Sequence, residues 1–169
     1  MTIRSALALS LLVVMAVIAV VMAVMAPVAT PSQMAGGTAV ADGWGEDYAQ
    51  TLAEAKKSGK PILADFTGSD WCGWCIRLKK EVFDTPAFKE WADKNVILLE
   101  LDFPNQKAQT AAIKQQNENL SKQFSIEGFP TVLIIDANGK KIGELGYMDG
   151  GPEKWITEFK NQFVAATKP

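Results

Sequence analysis

The sequence predicts an α/β fold in which helices flank a central mixed β-sheet as a three-layer sandwich. Short apolar runs typical of buried strands alternate with segments whose apolar residues recur at helical spacing. A two-residue turn signal, Asn138-Gly139, then joins the last two strands as a hairpin. Crossover helices connect parallel strands and a hairpin adds an antiparallel pair, so the expected sheet contains both orientations.

The first half of this pattern predicts helix, strand, helix and strand. A helix over residues 45–58 ends at Gly59, and Pro61 prevents its continuation. The apolar run at 62–66 contains one acidic residue and is typical of a buried strand. Helical periodicity follows, and residues 96–102 predict the next strand.

The second half predicts helix, strand, strand and helix. Residues 103–119 are polar and rich in Gln and Asn, which favours a loop or an exposed helix, and 120–124 are helical. The hairpin strands are predicted at 131–136 and 140–147. A final helix opens at Gly151-Pro152 and carries a core-facing aromatic residue at every fourth position: Trp155, Phe159 and Phe163.

The first 26 residues have the layout of an export signal or of a membrane anchor. From Ala6 to Ala26 the only polar side chain is Ser10, and Arg4 supplies a positive flank. A signal-peptide core has ~7–15 apolar residues and a spanning helix about 20, so the length fits both. Residues 1–26 are therefore expected to be a signal peptide or an N-terminal membrane anchor.

Residues 27–41 are uncharged and rich in Pro, Gly and Ala, which predicts a linker or a cleavage region. Cleavage, if it occurs, is expected after Ala41, and the folded domain is expected to span 42–169. Without Arg4 this domain has 16 basic and 19 acidic residues, a net charge of −3. It has no basic cluster interleaved with aromatics, which argues against nucleic acid as a partner. Membrane contact is expected only if the N-terminal segment is retained.

Cys72 and Cys75 stand where the strand at 62–66 gives way to a helix. Unpaired N–H groups and the helix dipole favour a thiolate there, and lower a cysteine pKa from ~8.5 to between ~3.5 and ~7.5. Cys75 lies three residues later, on the same helix face and within disulfide reach. So small a loop stabilises a fold little, which favours redox exchange over a structural disulfide. We expect Cys72 to attack a partner disulfide and Cys75 to resolve the mixed disulfide.

The chain contains no histidine. A Cys–His hydrolase would therefore lack its base, and two cysteines alone fall short of the four ligands that zinc normally takes. We expect no metal and no cofactor, and protein thiols and disulfides as the partners.

These motifs together resemble the thioredoxin superfamily, over about residues 45–165. The matching motifs, in chain order, are Ile62-Leu63-Ala64-Asp65-Phe66, Trp71-Cys72-Gly73-Trp74-Cys75, Gly128-Phe129-Pro130-Thr131 and the Asn138-Gly139 hairpin. Gly59-Lys60-Pro61 ahead of the first strand is similar to the exported branch that includes periplasmic thiol–disulfide interchange domains. The resemblance implies a thioredoxin-like sandwich and an extracytoplasmic thiol–disulfide oxidoreductase, a reductase or isomerase rather than an oxidant. One alternative is a net oxidant that installs disulfides, and the other is a redox-inert binding module or maturation chaperone for exported proteins.

The resemblance also implies roles for single residues. Pro130 matches a cis-proline packed beside the active-site disulfide, and Phe129 would offer its backbone to an extended substrate. Asp65 matches a buried acid that moves a proton to or from Cys75. The alternatives are an ordinary strand-entry turn for Phe129-Pro130 and a surface carboxylate for Asp65.

Trp71, Gly73 and Trp74 complete the predicted substrate-binding residues. Trp74, between the two cysteines, is expected at the surface, where it would dock apolar segments of unfolded proteins. For Trp71 a place in the core is an alternative. Gly73 and Trp74 also stand at the two positions that tune the reduction potential.

The chain departs from the ordinary thioredoxin pattern at three places. The interval from Asp65 to Cys72 is one residue longer, and Leu98 stands where the buried acid's lysine partner is expected. The polar stretch 104–119 is similar to an insertion ahead of Pro130. It is either a partner-contacting loop or, as its composition favours, a solvated helix.

Overall fold

The computed structural model describes residues 43–167 of the 169-residue chain, with side chains described through residue 163. The predictions for residues 1–26 and 27–41 lie outside this range. Within it, the helices are too short or too polar to cross a membrane.

Four strands in the described residues form one mixed sheet with the order β2-β1-β3-β4. They are β1 (Ile62–Thr67), β2 (Ile97–Asp102), β3 (Thr131–Ile135) and β4 (Lys141–Leu145). β1 pairs in parallel with β2 and antiparallel with β3, and β3 pairs antiparallel with β4. The predicted mixed sheet is confirmed, and β1, which is buried at every residue, lies inside it.

Among the described residues, five α-helices flank this sheet: α1 (Tyr48–Ser58), α2 (Gly73–Leu78), α3 (Pro86–Asn95), α4 (Ala111–Gln123) and α5 (Gly151–Thr167). A π-helical turn, Lys79–Phe83, continues directly from α2. The thioredoxin-like sandwich predicted from the sequence is confirmed by this arrangement.

Local sequence sets the helix ends. Asp47 caps α1 by accepting the backbone N–H of Gln50, and Gly59 ends the helix in the left-handed conformation with φ of 73°. Thr85 caps α3 and Pro86 occupies its first turn, where a missing N–H costs nothing. Thr110 likewise caps the start of α4.

The start of α1 differs from the prediction, because Gly45 pairs with β2 instead of joining the helix. Its N–H donates to the Leu98 carbonyl at 3.0 Å, and its carbonyl accepts from the Glu100 N–H at 2.8 Å. The chain at Gly45 thus forms an isolated parallel β-bridge with β2 before α1 begins at Tyr48.

The two faces of the sheet bury separate hydrophobic clusters, because successive strand residues point to opposite sides. One cluster joins Leu63 of β1 to the aromatic side chains Phe83, Phe88 and Trp155. The other joins Phe66 to residues of α1 and α4. α2 leaves the carboxyl end of β1 across a five-residue connection, which places the cysteines at that edge of the sheet.

The polar stretch is a loop followed by most of α4. The separately predicted helix at 120–124 is the end of α4. Most side chains from 104 to 119 are at least partly exposed, as expected. For Asn117 that expectation is wrong: its side chain is buried, and its amide donates to the Asp102 carbonyl at 2.9 Å.

Candidate active site

Cys72 and Cys75 form a disulfide at the start of α2, with their Cα atoms 5.2 Å apart. Cys72 is the N-cap residue, and its sulfur accepts the backbone N–H of Cys75 at 3.2 Å. Both side chains are buried in this oxidised form, Cys72 at 7% and Cys75 at 3% exposure. After reduction the same N–H would stabilise a thiolate on Cys72, as unpaired N–H groups at a helix start do.

The turn ahead of the disulfide depends on Gly68. Its carbonyl accepts the backbone N–H groups of Trp71 at 3.2 Å and Cys72 at 2.8 Å. A Cβ atom on Gly68 would lie 2.5 Å from the Trp71 ring, closer than side-chain atoms approach one another. Any larger residue at 68 must therefore displace Trp71.

Trp71 and Trp74 are exposed on either side of the disulfide, at 47% and 56%. The core alternative for Trp71 is therefore wrong, because its position in a surface turn leaves nearly half of the residue exposed to solvent. Trp71 meets Phe129 edge to face at 5.9 Å between ring centroids, whereas Trp74 lies 5.1 Å from Tyr147. Gly73 lies between the cysteines with open space where a Cβ would project.

Trp74 rests on a charged cluster that sequence reasoning missed. The Arg77 guanidinium lies 5.6 Å from the Trp74 ring centre and 5.0 Å from that of Tyr147. Glu81 accepts from Arg77 Nε at 2.8 Å and from the Tyr147 hydroxyl at 2.7 Å. Desolvation and hydrogen bonds to Glu81 and Asp149 raise the pKa of Tyr147. The i,i+4 spacing of Arg77 and Glu81 was a visible signal, but nothing in the sequence brought Tyr147 to them.

The Phe129–Pro130 peptide bond is cis, directly ahead of β3. The Phe129 ring lies between Trp71 and Phe103, with its centroid 5.0 Å from that of Phe103. The structure therefore brings the segment before Pro130 to the cysteine loop through the contact of Phe129 with Trp71.

Asp65 is buried, with 7% exposure, and its Oδ1 atom has no hydrogen-bond partner in the described part of the chain. It shares a face of β1 with Leu63, the face covered by α2 and the π-helical turn. Desolvation, reinforced by Glu100, raises the pKa of Asp65 from 3.8 to about 8, while Lys79 acts in the opposite direction. A carboxyl group with such a pKa can take up and return a proton near neutral pH.

The strand register identifies the neighbour of Asp65 on β2. Asp65 lies opposite Glu100, and Leu98 lies opposite Leu63. The position on β2 directly beside the buried acid is thus occupied by a second acid, and Leu98 lies two residues before it. Burial, together with Asp102, also raises the pKa of Glu100. Lys79, in the π-helical turn after α2, opposes the upward shift of the Asp65 pKa.

In the described residues, no three His, Cys, Asp or Glu side chains converge as metal ligands. The chemistry that the arrangement supports is thiol–disulfide exchange. It offers a sulfur at a helix start, a second sulfur three residues later and a buried carboxyl group on β1.

Comparison with known proteins identifies the class. The thioredoxin-like domain family matches residues 48–160, so the chain belongs to that family. A relative from Chlamydia pneumoniae, "Disulfide bond reductase DsbH", is 36% identical over 69% of this chain and 70% of its own length. A solved structure titled "DsbH Oxidoreductase" matches with a TM-score of 0.67 at 36% identity, over 70% of this chain and 82% of that one.

A second relative, "Thiol:disulfide interchange protein DsbD" from Salmonella paratyphi A, is 32% identical. The match covers 62% of this chain but 17% of that protein, so this chain corresponds to a small part of it. The matches support a redox enzyme of the thiol–disulfide oxidoreductase class.

Proposed function

We propose that this chain is an extracytoplasmic protein-disulfide reductase or isomerase that exchanges its Cys72/Cys75 dithiol with the disulfides of other proteins. The observation that carries the proposal is the Cys72 sulfur at the N-terminus of α2, next to two exposed tryptophans. The signal-like layout of residues 1–26 supports an extracytoplasmic location, with 42–169 as the functional domain. The name of the DsbH relative supports reduction as the direction of exchange.

The exchange proceeds in two steps that move two electrons to the partner. The Cys72 thiolate attacks one sulfur of a partner disulfide, which forms a mixed disulfide and releases the other partner sulfur as a thiolate. Asp65 in its ionised form then accepts the proton of Cys75, and the Cys75 thiolate attacks the Cys72 sulfur. The Cys72–Cys75 disulfide forms and the partner leaves with both of its cysteines reduced.

The substrate segment would lie across Trp71, Trp74 and Phe129. Both tryptophans expose large apolar surfaces beside the sulfur, as a docking surface for an unfolded or extended segment requires. Phe129 precedes Pro130 and touches Trp71, so a segment that follows the backbone there passes close to the cysteine loop.

The test is insulin reduction by the full chain with a thiol donor, alongside Cys72→Ser and the surface control Asp93→Asn. Cys72→Ser should abolish reduction and Asp93→Asn should match the parent. A Cys75→Ala variant should accumulate mixed disulfides, whose partners mass spectrometry can identify. If Cys72→Ser retained the biological activity of the parent, a redox-inert binding module would replace the proposal.

Direction and location need separate measurements. Reduction potentials of thioredoxin-like proteins span about −270 mV for reductants to about −120 mV for strong oxidants. A value near the oxidising end would contradict the reductase or isomerase assignment. Sequencing the N-terminus of the exported protein would show whether cleavage follows Ala41, and a protein confined to the cytoplasm would contradict the location.

A further inference from the structure

We propose that Asp70 is a positioning residue that sets the selectivity of this site for protein disulfides, by holding residues 103–107 against the cysteine loop. This inference rests on the proposed function, since it concerns how the same site distinguishes a protein substrate from a small disulfide. It concerns the Trp71 side of the site and not the sulfur atoms themselves.

The Asp70 carboxylate accepts three consecutive backbone N–H groups from the loop after β2. Oδ1 accepts from Asn105 at 2.9 Å, and Oδ2 accepts from Gln106 at 2.7 Å and Lys107 at 3.1 Å. These bonds lower the pKa of Asp70, so the carboxylate is charged at neutral pH and the bonds are charge-assisted. A partly buried side chain thereby holds a segment 35 to 37 residues away in the chain.

Ser69, the preceding residue, makes a second connection to the same region. Its N–H and hydroxyl donate to the two carboxylate oxygens of Asp102 at 2.9 and 2.5 Å, and its hydroxyl accepts from Lys107 Nζ at 2.7 Å. Adjacent residues of the cysteine loop thus bind both ends of the segment 102–107.

Trp71 connects the attached segment to the proposed substrate surface. Its Nε1–H donates to the Phe103 carbonyl at 2.8 Å, and the Phe103 ring packs on Phe129, which in turn meets Trp71. The orientation of Trp71 and Phe129 therefore depends on where Phe103 lies. Trp74 has a different support, Tyr147 and Arg77.

The consequence differs between substrate classes. A protein segment docking on Trp71 and Phe129 requires both rings in place before its disulfide reaches Cys72, since misplaced docking groups lower the rate of a bound reaction. Oxidised glutathione needs access to the Cys72 sulfur and little of this surface. Losing the Asp70 bonds should therefore reduce exchange with proteins far more than exchange with a small disulfide.

The experiment compares the parent, Asp70→Asn, Asp70→Glu and Asp93→Asn in reducing insulin and oxidised glutathione. An asparagine directs its NH₂ group at one of the backbone N–H donors, so it cannot accept all three bonds. We expect Asp70→Asn to lower the ratio of the insulin rate to the glutathione rate by about tenfold, mainly through KM. Asp70→Glu, which keeps the charge, should recover part of the ratio, and Asp93→Asn should keep it.

Two structural readouts distinguish this inference from the proposed function. Asp70→Asn should accelerate hydrogen exchange at the amides of residues 105–107. It should also increase the quenching of Trp71 fluorescence. The contribution of Trp71 to the fluorescence is identified by comparison with Trp71→Phe. An unchanged ratio, or equal losses for both substrates, would overturn the selectivity role. If the parent reduced neither substrate, the proposed function would fail. Separately, unchanged hydrogen exchange and unchanged quenching in Asp70→Asn would overturn the positioning role.

Discussion

Asp65 and Asp70 lie five residues apart on the approach to the cysteines, and their surroundings are opposite. Asp65 is buried, and its Oδ1 lacks a hydrogen-bond partner in the described residues, whereas Asp70 is only partly buried and accepts three backbone N–H groups. Burial raises the pKa of the first and hydrogen bonds lower the pKa of the second. The carboxyl that is costly to ionise is suited to proton transfer, and the one that stays ionised is suited to holding structure.

The largest expected effect is on the rate of resolution in Asp65→Asn. An amide cannot accept the Cys75 proton, and general base catalysis typically contributes about a hundredfold or more to such a step. We expect mixed-disulfide release to slow by about that factor while formation changes little. Stopped-flow measurement of both steps tests this, with Asp93→Asn as the control. Equal slowing of formation and release would remove the proton-transfer role from Asp65.

The next effect is on the pH dependence of stability in the oxidised protein. The folded pKa of Asp65, about 8, exceeds its ordinary value of 3.8, so in this window the folded state holds a proton that the unfolded state has released. Stability should therefore fall as pH rises from about 4 to about 8, by at most about 1.4 kcal/mol per pH unit. Urea unfolding should show this slope in the parent and a flatter one in Asp65→Asn. The same slope in both would mean that Asp65 titrates normally.

A smaller effect is expected from Glu100→Gln, which separates two causes of the Asp65 shift. Glu100 raises the pKa of Asp65 by like-charge repulsion, although desolvation contributes more. The variant should lower the pKa of Asp65 without returning it to 3.8. Titrating the Asp65 carboxyl carbon by NMR in both proteins measures the difference. An unchanged pKa would mean that Glu100 contributes nothing and that the shift comes from desolvation and Asp102.

The smallest effect is on stability in Asp70→Asn. A lowered pKa contributes stability that is present above the ordinary aspartate value and lost as pH falls through the folded value. The variant should have a slightly lower urea midpoint at pH 7, and the difference from the parent should close in acid. A difference that persisted below pH about 2 would have to come from shape rather than charge.

The comparison also shows what the sequence could predict. β1 and the cysteine motif are local patterns, so the fold and the positions of Cys72 and Cys75 followed from periodicity and spacing. The neighbour of Asp65 depends on the register between β1 and β2, and a two-residue shift keeps the same face. Periodicity therefore could not separate Leu98 from Glu100.

Long-range side-chain contacts likewise could not be predicted from the sequence. Asp70 lies in the interval between Asp65 and Cys72, and the sequence there carries no signal of its bonds to residues 105–107. The polar composition of that loop favoured simple solvation. Tyr147 reaches Glu81 only because the fold returns β4 to the end of α2 and the turn after it. Such pairings follow from tertiary structure and leave no local trace.

The bridge at Gly45 has a consequence for how copies of this protein meet one another. An open strand edge is a template for pairing with another chain, and natural sheets cover or charge their edges. At the β2 edge, Gly45 forms hydrogen bonds with the outward-facing backbone carbonyl of Leu98 and backbone N–H of Glu100. At the opposite edge, β4 carries the ion pair of Lys141 with Glu144. A substitution that detached Gly45 would open a strand for intermolecular pairing, so it should promote aggregation while leaving the redox centre intact.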